Sequence, residues 1–402
     1  MKNNITIRKI EKDTDSVCVG IWVKVGSALE NKQEQGLSHF IEHMLFKGTK
    51  KRTYRQIAEQ MDALGGVVNA FTSHEFTCFH VKVWEKYFLE AWDILTDIIT
   101  QSVINKNELE QERKVILEEI NMTQDMPDEY VFDVFMENAY KFSPLGCSIL
   151  GTKEKVRGYT REDLIRFMQE YYKKENIIIT MGGKHKDIPL SALEGEWLYK
   201  PNESISSEDY GVAFTPGKDL VKRKLEQSNI ILGWPTCPIG NERKYAVSLF
   251  NNIFGGSMSS HLFQHIREEK GLAYSISSSA SFFKKTGLNY IFAGTSKKNT
   301  QTLVDEIKRE IEKIKENYIS SEELHKAKVC SKGKMILGLE DTKNLMLKAG
   351  TDLIYFGRYI EPEEVIKKIE DVKMDNIVEI IDDIDMNKMH LTILGNIKDI
   401  KW

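Results

Sequence analysis

Cysteine is scarce and poorly placed for any bridging role. The five residues, Cys18, Cys78, Cys147, Cys237 and Cys330, are scattered, odd in number and form no CxxC pair. A disulfide framework is therefore not expected, and a reducing compartment, the cytoplasm, is the setting this usage suggests. Cysteine is also a poor candidate for a metal ligand here. No apolar run approaches the ~20 residues that a helical membrane span requires. The opening residues, MKNNITIRKI, carry charge but no apolar core segment, so no secretory signal is expected. Neither sign of charge dominates: 56 basic against 60 acidic residues leave a formal charge of −4. The basic excess of a nucleic-acid binder is absent.

What is present is the composition of a globular chain, 41% hydrophobic and 29% charged over 402 residues. That length allows two or three domains with sizeable cores. Set against itself at an offset of 212 residues, the chain matches at three places in the same order. TMGGKHKDI (Thr180–Ile188) falls on TILGNIKDI (Thr392–Ile400), and each follows a helical pattern. VGIWVKVG (Val19–Gly26) falls near ILGWPTCP, which sets Trp22 over Trp234. Both halves alternate short β-branched runs with amphipathic helices. The expected fold class is thus α+β, two homologous halves with helices packed on a sheet. The polar, turn-rich stretch YKPNESISSEDYGVAFTPGKD separates them. The expected domains are a first half at 1–190, a linker at 191–218 and a second half at 219–402.

One stretch carries chemistry. GLSHFIEHMLFKGT (Gly36–Thr49) reads as a helix with an apolar stripe of Leu37, Ile41, Met44 and Leu45 and a stop near Gly48. His39 and His43 are four residues apart, so their imidazoles stack on one face and can share an ion. Zinc suits two imidazoles and a carboxylate, with one position left to water, and Glu42 beside it can take a proton from that water. The bland reading is a helix with surface or core histidines, yet composition alone seldom produces HxxEH in a chain of this length. In the second half, HLFQH repeats the histidine spacing at His261 and His265 but has no acid between them, so it reads as a structural or surface pair. A third ligand is sought on NELEQERKVILEEINM (Asn107–Met122). Helical phase puts Glu119 on a stripe with Glu112, Val115 and Ile116, and Glu118 on a polar stripe. Glu119 is therefore the ligand candidate, with Glu112 two turns earlier placed to support a histidine or the catalytic acid.

With GGVVNAFTSHEFT (Gly65–Thr77) and ERKVILEEI (Glu112–Ile120) added to the HxxEH stretch, the chain resembles the pitrilysin, insulin-degrading enzyme and mitochondrial processing peptidase family of inverted zinc peptidases. Its length is closest to bacterial members similar to the processing-peptidase β subunit. The resemblance covers the whole chain, duplication included. It implies a clamshell of two halves and one zinc per chain, held by His39, His43 and Glu119. It further implies Glu42 as general base and Glu112 as supporting acid. Asn69, Ala70 and Phe71 would form an edge strand that pairs with an extended substrate. Read alone, those three residues are an ordinary strand. Arg267 and Tyr274 would reach substrate and oxyanion from the inactive half; read alone, they are a surface cation and a core aromatic. At the 212 offset the metal positions become Asn251, Phe254 and Gly255, so no second zinc is expected. Ser143 stands where bacterial relatives carry a histidine, which puts any role of that histidine in doubt.

The implied activity is a zinc endopeptidase acting on peptides or unfolded and precursor segments, most simply as a homodimer. A non-catalytic scaffold of the same fold, or a catalytic subunit that needs a partner, are the alternatives. Manganese or cobalt could replace zinc in the cell.

Overall fold

The computed structural model describes residues 5–184, 187–202 and 210–402. They divide into two compact units. The first comprises residues up to Met122, Cys147–Gly211 and Gly338–Ile360, and the second Thr123–Gly146, Val212–Leu337 and Glu361–Trp402.

The first unit is built on a five-stranded sheet. Its strands are β1 (Thr6–Glu11), β2 (Ser16–Val23), β3 (Val67–Thr72), β4 (Thr77–Trp84) and β5 (Ile177–Gly183), in the order β1-β5-β2-β4-β3. Only β1 and β5 run parallel; the other neighbours are antiparallel. Side chains alternate across the sheet, and both faces of β2 are buried. Val19, Ile21 and Val23 meet the main core, with Phe79 and Val81 from β4 and the apolar stripes of helices Phe88–Gln101 and Arg161–Tyr171. Cys18 and Trp22 face the other way, toward Met346 and Leu353. This is why VCVGIWV reads as nearly continuous apolar sequence rather than as an alternation.

The helix on that second face is Thr342–Phe356. It lies close because glycines remove the side chains between it and the strands. A Cβ at Gly350 would stand 2.0 Å from the Trp22 ring, and one at Gly20 would stand 2.5 Å from Met346 Sδ. Trp22 Nε1 donates to Thr180 Oγ1 at 2.8 Å, and that hydroxyl donates to the Met346 carbonyl at 2.9 Å. Overfilling such a contact costs about 1–3 kcal/mol. Gly350→Ala should therefore lower the melting temperature measurably in a thermal scan. Gly333→Ala, a helical glycine whose Cβ would meet nothing within 4 Å, should not lower it.

The second unit repeats the design. Its strands are β6 (Gly217–Lys222), β7 (Gln227–Thr236), β8 (Ser275–Phe282), β9 (Gly287–Ser296) and β10 (His390–Gly395), in the order β6-β10-β7-β9-β8. β6 and β10 are the parallel pair. Ile230, Leu232, Ile291 and Ile393 form the core with helices Arg243–Phe254, Thr300–Asn317 and Met374–Asp382. The opposite face is covered by Pro127–Ala139, whose Phe132 stacks on Phe292 and whose Phe135 packs on His390. The short turn Glu85–Tyr87 recurs as Lys297–Asn299, at the 212-residue offset of the sequence repeat.

The duplication is thus visible strand for strand, but the compact units are not the contiguous halves 1–190 and 219–402. A sheet with two apolar faces needs helices on both, and each unit takes one covering helix from the other half of the sequence. Nor is 191–218 simply a connection. Leu193 and Trp197 are buried in the first core, and the Tyr210 hydroxyl donates to Glu75 at 2.5 Å. The middle of that stretch, 203–209, lies outside the described residues. Ser143 is buried in a turn of the second unit, where its Oγ accepts the Leu145 N–H. Among the described residues, no helix is long and apolar enough to cross a membrane.

Candidate metal centre

The HxxEH helix spans Leu37–Leu45. It opens at Gly36, whose φ of +91° favours glycine and whose Cβ would stand 2.8 Å from Gly151 Cα. The first turn is held by the buried Glu30, which accepts the N–H groups of Gly36 and Ser38, each at 2.7 Å. These are N-terminal donors that the helix itself cannot satisfy. Leu37, Phe40, Ile41, Met44 and Leu45 are buried in the core, which turns His39, Glu42 and His43 to the other side.

Helix Lys106–Asp125 faces them. Its buried residues are Leu109, Glu112, Ile116 and Ile120. Glu119 is half-buried beside this stripe, while Glu118 is exposed. Val115, expected on the same stripe, is also exposed.

One oxygen of Glu119, Oε2, lies 3.6 Å from His39 Nε2 and 3.5 Å from His43 Nε2. Donors about 2.0–2.1 Å from a tetrahedral zinc stand roughly 3.3–3.4 Å apart. The three side chains therefore already have nearly the spacing of a zinc-binding face. Glu119 Oε2 is buried and has no hydrogen-bond partner among the described residues. An unpartnered buried carboxylate oxygen is costly unless a cation receives it. Among the described residues, His39, His43 and Glu119 are the one group of such side chains whose ligand atoms converge. The donor set fits zinc.

The electrostatics agree with a cation site. Burial, reinforced by His43, pushes His39 down to about 4, so its imidazole is neutral as a metal ligand must be. His43 is raised to about 9: burial opposes its charge, but Glu112 and Glu119 overcome it. A pair of carboxylates that stabilises a proton on His43 also attracts a metal ion. The His43 imidazole, with His39 adding to it, holds Glu119 below its usual range, against the effect of burial. Glu42 is raised by burial, with the Thr72 hydrogen bond and His43 working against that.

Glu42 and β3 meet through Thr72, whose Oγ1 donates to Glu42 Oε2 at 2.5 Å. β3 is the edge of its sheet. The Ala70 N–H donates to the side chain of Asn69 at 2.8 Å rather than to β4. Asn69, Ala70 and Phe71 therefore do form an edge strand, joined to the motif helix at Thr72.

The second unit lacks this chemistry. His39, Glu42 and His43 correspond by offset to Asn251, Phe254 and Gly255. Asn251 bonds to Asn289 and Ser278, and the Gly255 carbonyl accepts the N–H of Ser278 on edge strand β8. His261 pairs with Glu323 at 2.6 Å, and His265 lies among Glu269, Glu306 and Glu310. Arg267 is on a π-helical turn, Phe263–Glu269, over the Phe263 ring. Tyr274 is 63% exposed, not the core aromatic of the bland reading.

Three residues at the first site were not singled out in the sequence. Lys47 pairs with Glu112, Thr72 bonds Glu42, and Glu30 caps the helix. Lys47 carried a signal, four residues beyond His43 on the same helical line. Glu30 and Thr72 are brought in by the fold.

Glu30 also gives a pH prediction. Burial raises it from 4.5 to about 7 despite the N–H groups of Ser38 and Gly36. The folded state thus holds this proton more tightly than the unfolded one. Its stabilising contribution is complete below the unfolded value and is lost as pH rises through about 7. The melting temperature of wild type relative to Glu30→Gln should fall between pH 5 and 8, by up to about 1.4 kcal/mol of stability per pH unit.

Comparison with known proteins now bears on the site. Residues 7–153 match the family "Insulinase (Peptidase family M16)", and residues 158–329 match "Peptidase M16 inactive domain". A Bacillus subtilis protein named "Uncharacterized zinc protease YmxG" is 35% identical, over 94% of this chain and 90% of its own length. A Rickettsia felis zinc protease is 37% identical, over 94% and 92%. Among solved structures, a Helicobacter pylori protease superposes with a TM-score of 0.91 at 21% identity, covering 98% of each chain. Identity that low speaks to fold alone. Sequence likeness over nearly the full length, with both family regions matched, establishes the rest: the chain belongs to the insulinase, or M16, peptidase family.

Proposed function

We propose that this protein is a zinc-dependent endopeptidase that cleaves extended peptides or unfolded segments. The observation that carries the reading is the convergence of His39, His43 and Glu119 with Glu42 beside them. The zinc-protease names of its relatives support it. His39, His43 and Glu119 would hold one zinc, which when bound polarises a carbonyl and acidifies water. Glu42 takes the proton from the attacking water and returns it to the leaving amine. Glu112 fixes the orientation of His43 and is a positioning residue rather than a reacting one. The free edge of β3 at Asn69, Ala70 and Phe71 binds the substrate backbone by strand addition, which favours extended chains and tolerates many sequences. Asn69 covers the Ala70 N–H only with a side chain that a peptide can displace; in the second unit the matching N–H of Ser278 is taken by main chain. Arg267 and Tyr274 serve the substrate backbone and the oxyanion. Two copies associate in solution, which light scattering of the purified chain would read as a dimer mass.

The test is digestion of a mixed synthetic peptide library, read by mass spectrometry. Cleavage by wild type, lost with a chelator and with Glu42→Gln, is the expected result. No cleavage by wild type that binds zinc stoichiometrically would instead indicate a scaffold or a subunit awaiting a partner.

A further inference from the structure

We propose that Lys47 is a positioning residue of the metal centre, fixing Glu112 so that His43 presents Nε2 to the ion. The inference rests on the zinc reading above and adds to it a residue that the ligand motif does not contain.

Glu112 is a buried carboxylate with its side chain 6% exposed, and both of its oxygens are engaged. Oε1 meets Lys47 Nζ at 2.6 Å, and Oε2 meets His43 Nδ1 at 3.1 Å. A carboxylate can only accept, so Nδ1 donates to Glu112, and in the neutral imidazole that a metal requires Nε2 is left with its lone pair. Nε2 is the atom that faces Glu119. The orientation of His43 thus depends on a carboxylate whose own position depends on Lys47.

Lys47 lies just past the end of the motif helix, where its N–H donates to the Met44 carbonyl. Its backbone is therefore tied to the turn that carries His43, and its ammonium reaches across to helix Lys106–Asp125. Removing a partner from a buried charge leaves that charge uncompensated, at far greater cost than losing a surface pair. Without Lys47, Glu112 in the metal-loaded protein keeps only the N–H of a neutral His43 and is free to rotate away from it. Lys47 then acts on the metal through two intermediaries without touching it.

The experiment measures zinc affinity, not turnover. Full-length protein is stripped with a chelator, and zinc is returned in competition with a chromophoric zinc indicator. Wild type, Lys47→Met, Lys47→Arg, Glu112→Gln, the double variant Lys47→Met/Glu112→Gln and the exposed control Lys50→Met are compared. Loss of such a supporting contact typically weakens a metal site by about 10–100-fold. Lys47→Met and Glu112→Gln should each fall in that range, and the double variant should be no weaker than Glu112→Gln. Lys47→Arg should recover most of the affinity, and Lys50→Met should match wild type. Should Lys47→Met not fold, Lys47→Gln, with a donor but no charge, carries the same expectation.

Unchanged affinity in Lys47→Met, or losses that simply add in the double variant, overturns the proposal while leaving the zinc reading intact. Failure of wild type itself to bind zinc overturns the reading and the proposal together. A merely structural lysine would lower the melting temperature of metal-free protein and leave zinc affinity in the folded fraction unchanged.

Discussion

Glu42→Gln should abolish measurable peptide cleavage while leaving zinc bound and the fold intact. The amide keeps the size of the side chain and an oxygen that can still accept the Thr72 hydroxyl, so the link between the motif helix and β3 survives. What the amide lacks is basicity. General acid–base catalysis by a placed group contributes about 10²–10⁴ in rate, and kcat/KM should fall by that factor. Zinc content, measured by metal analysis, should stay at one per chain, and the melting temperature should shift little. The pairing matters because a collapse of zinc content along with activity would make Glu42 a ligand or a structural acid. Peptide binding to Glu42→Gln, followed by fluorescence anisotropy, should persist, because the edge of β3 remains. Substitutions in Asn69–Phe71 should do the reverse and weaken peptide binding before they touch metal.

The parts of this site legible in the sequence were those with a short period. HxxEH sets its own geometry, since residues four apart on a helix must stack. The phase of Asn107–Met122 separated Glu119 from Glu118 for the same reason. The duplication was legible because a repeat needs only comparison with itself. Its limits are equally physical. An internal match says which segments are alike, not which pack together. Pro127–Ala139 and Thr342–Phe356 carry ordinary amphipathic patterns, and nothing in either says which sheet it covers. The close fit of Gly350 on Trp22 explains the choice once the fold is known, but a lone glycine in a helix announces no partner. Glu30 and Thr72 belong to the same class. Each reaches the motif helix through tertiary structure, from the turn before it and from a strand that follows it. Val115 shows the opposite error, an apolar residue on the expected stripe that the helix turns to solvent. The roles proposed for Arg267 and Tyr274 rest on family likeness alone.

Glu119→Gln should empty the metal site, and Glu118→Gln should not. The two residues are adjacent, identical in type and on the same helix, so composition, helix propensity and net charge change equally in both variants. Only helical phase distinguishes them. Glu119 Oε2 is the buried oxygen that stands 3.5–3.6 Å from both imidazoles. Glu118 is exposed. Replacing a carboxylate ligand by an amide removes the charge that balances the ion, so the loss in zinc affinity should exceed the 10–100-fold typical of an outer contact. In the indicator competition, Glu118→Gln should overlay wild type. Without metal, His43 and His39 favour the charged form of Glu119 in the folded state, so stripped Glu119→Gln should melt somewhat lower than stripped wild type. Zinc should then raise the melting temperature of wild type and of Glu118→Gln, the stabilisation growing with the logarithm of its free concentration over Kd. It should leave Glu119→Gln where it was. Equal zinc-dependent stabilisation of all three proteins would remove Glu119 from the ligand set, and the third ligand would have to be sought on another element.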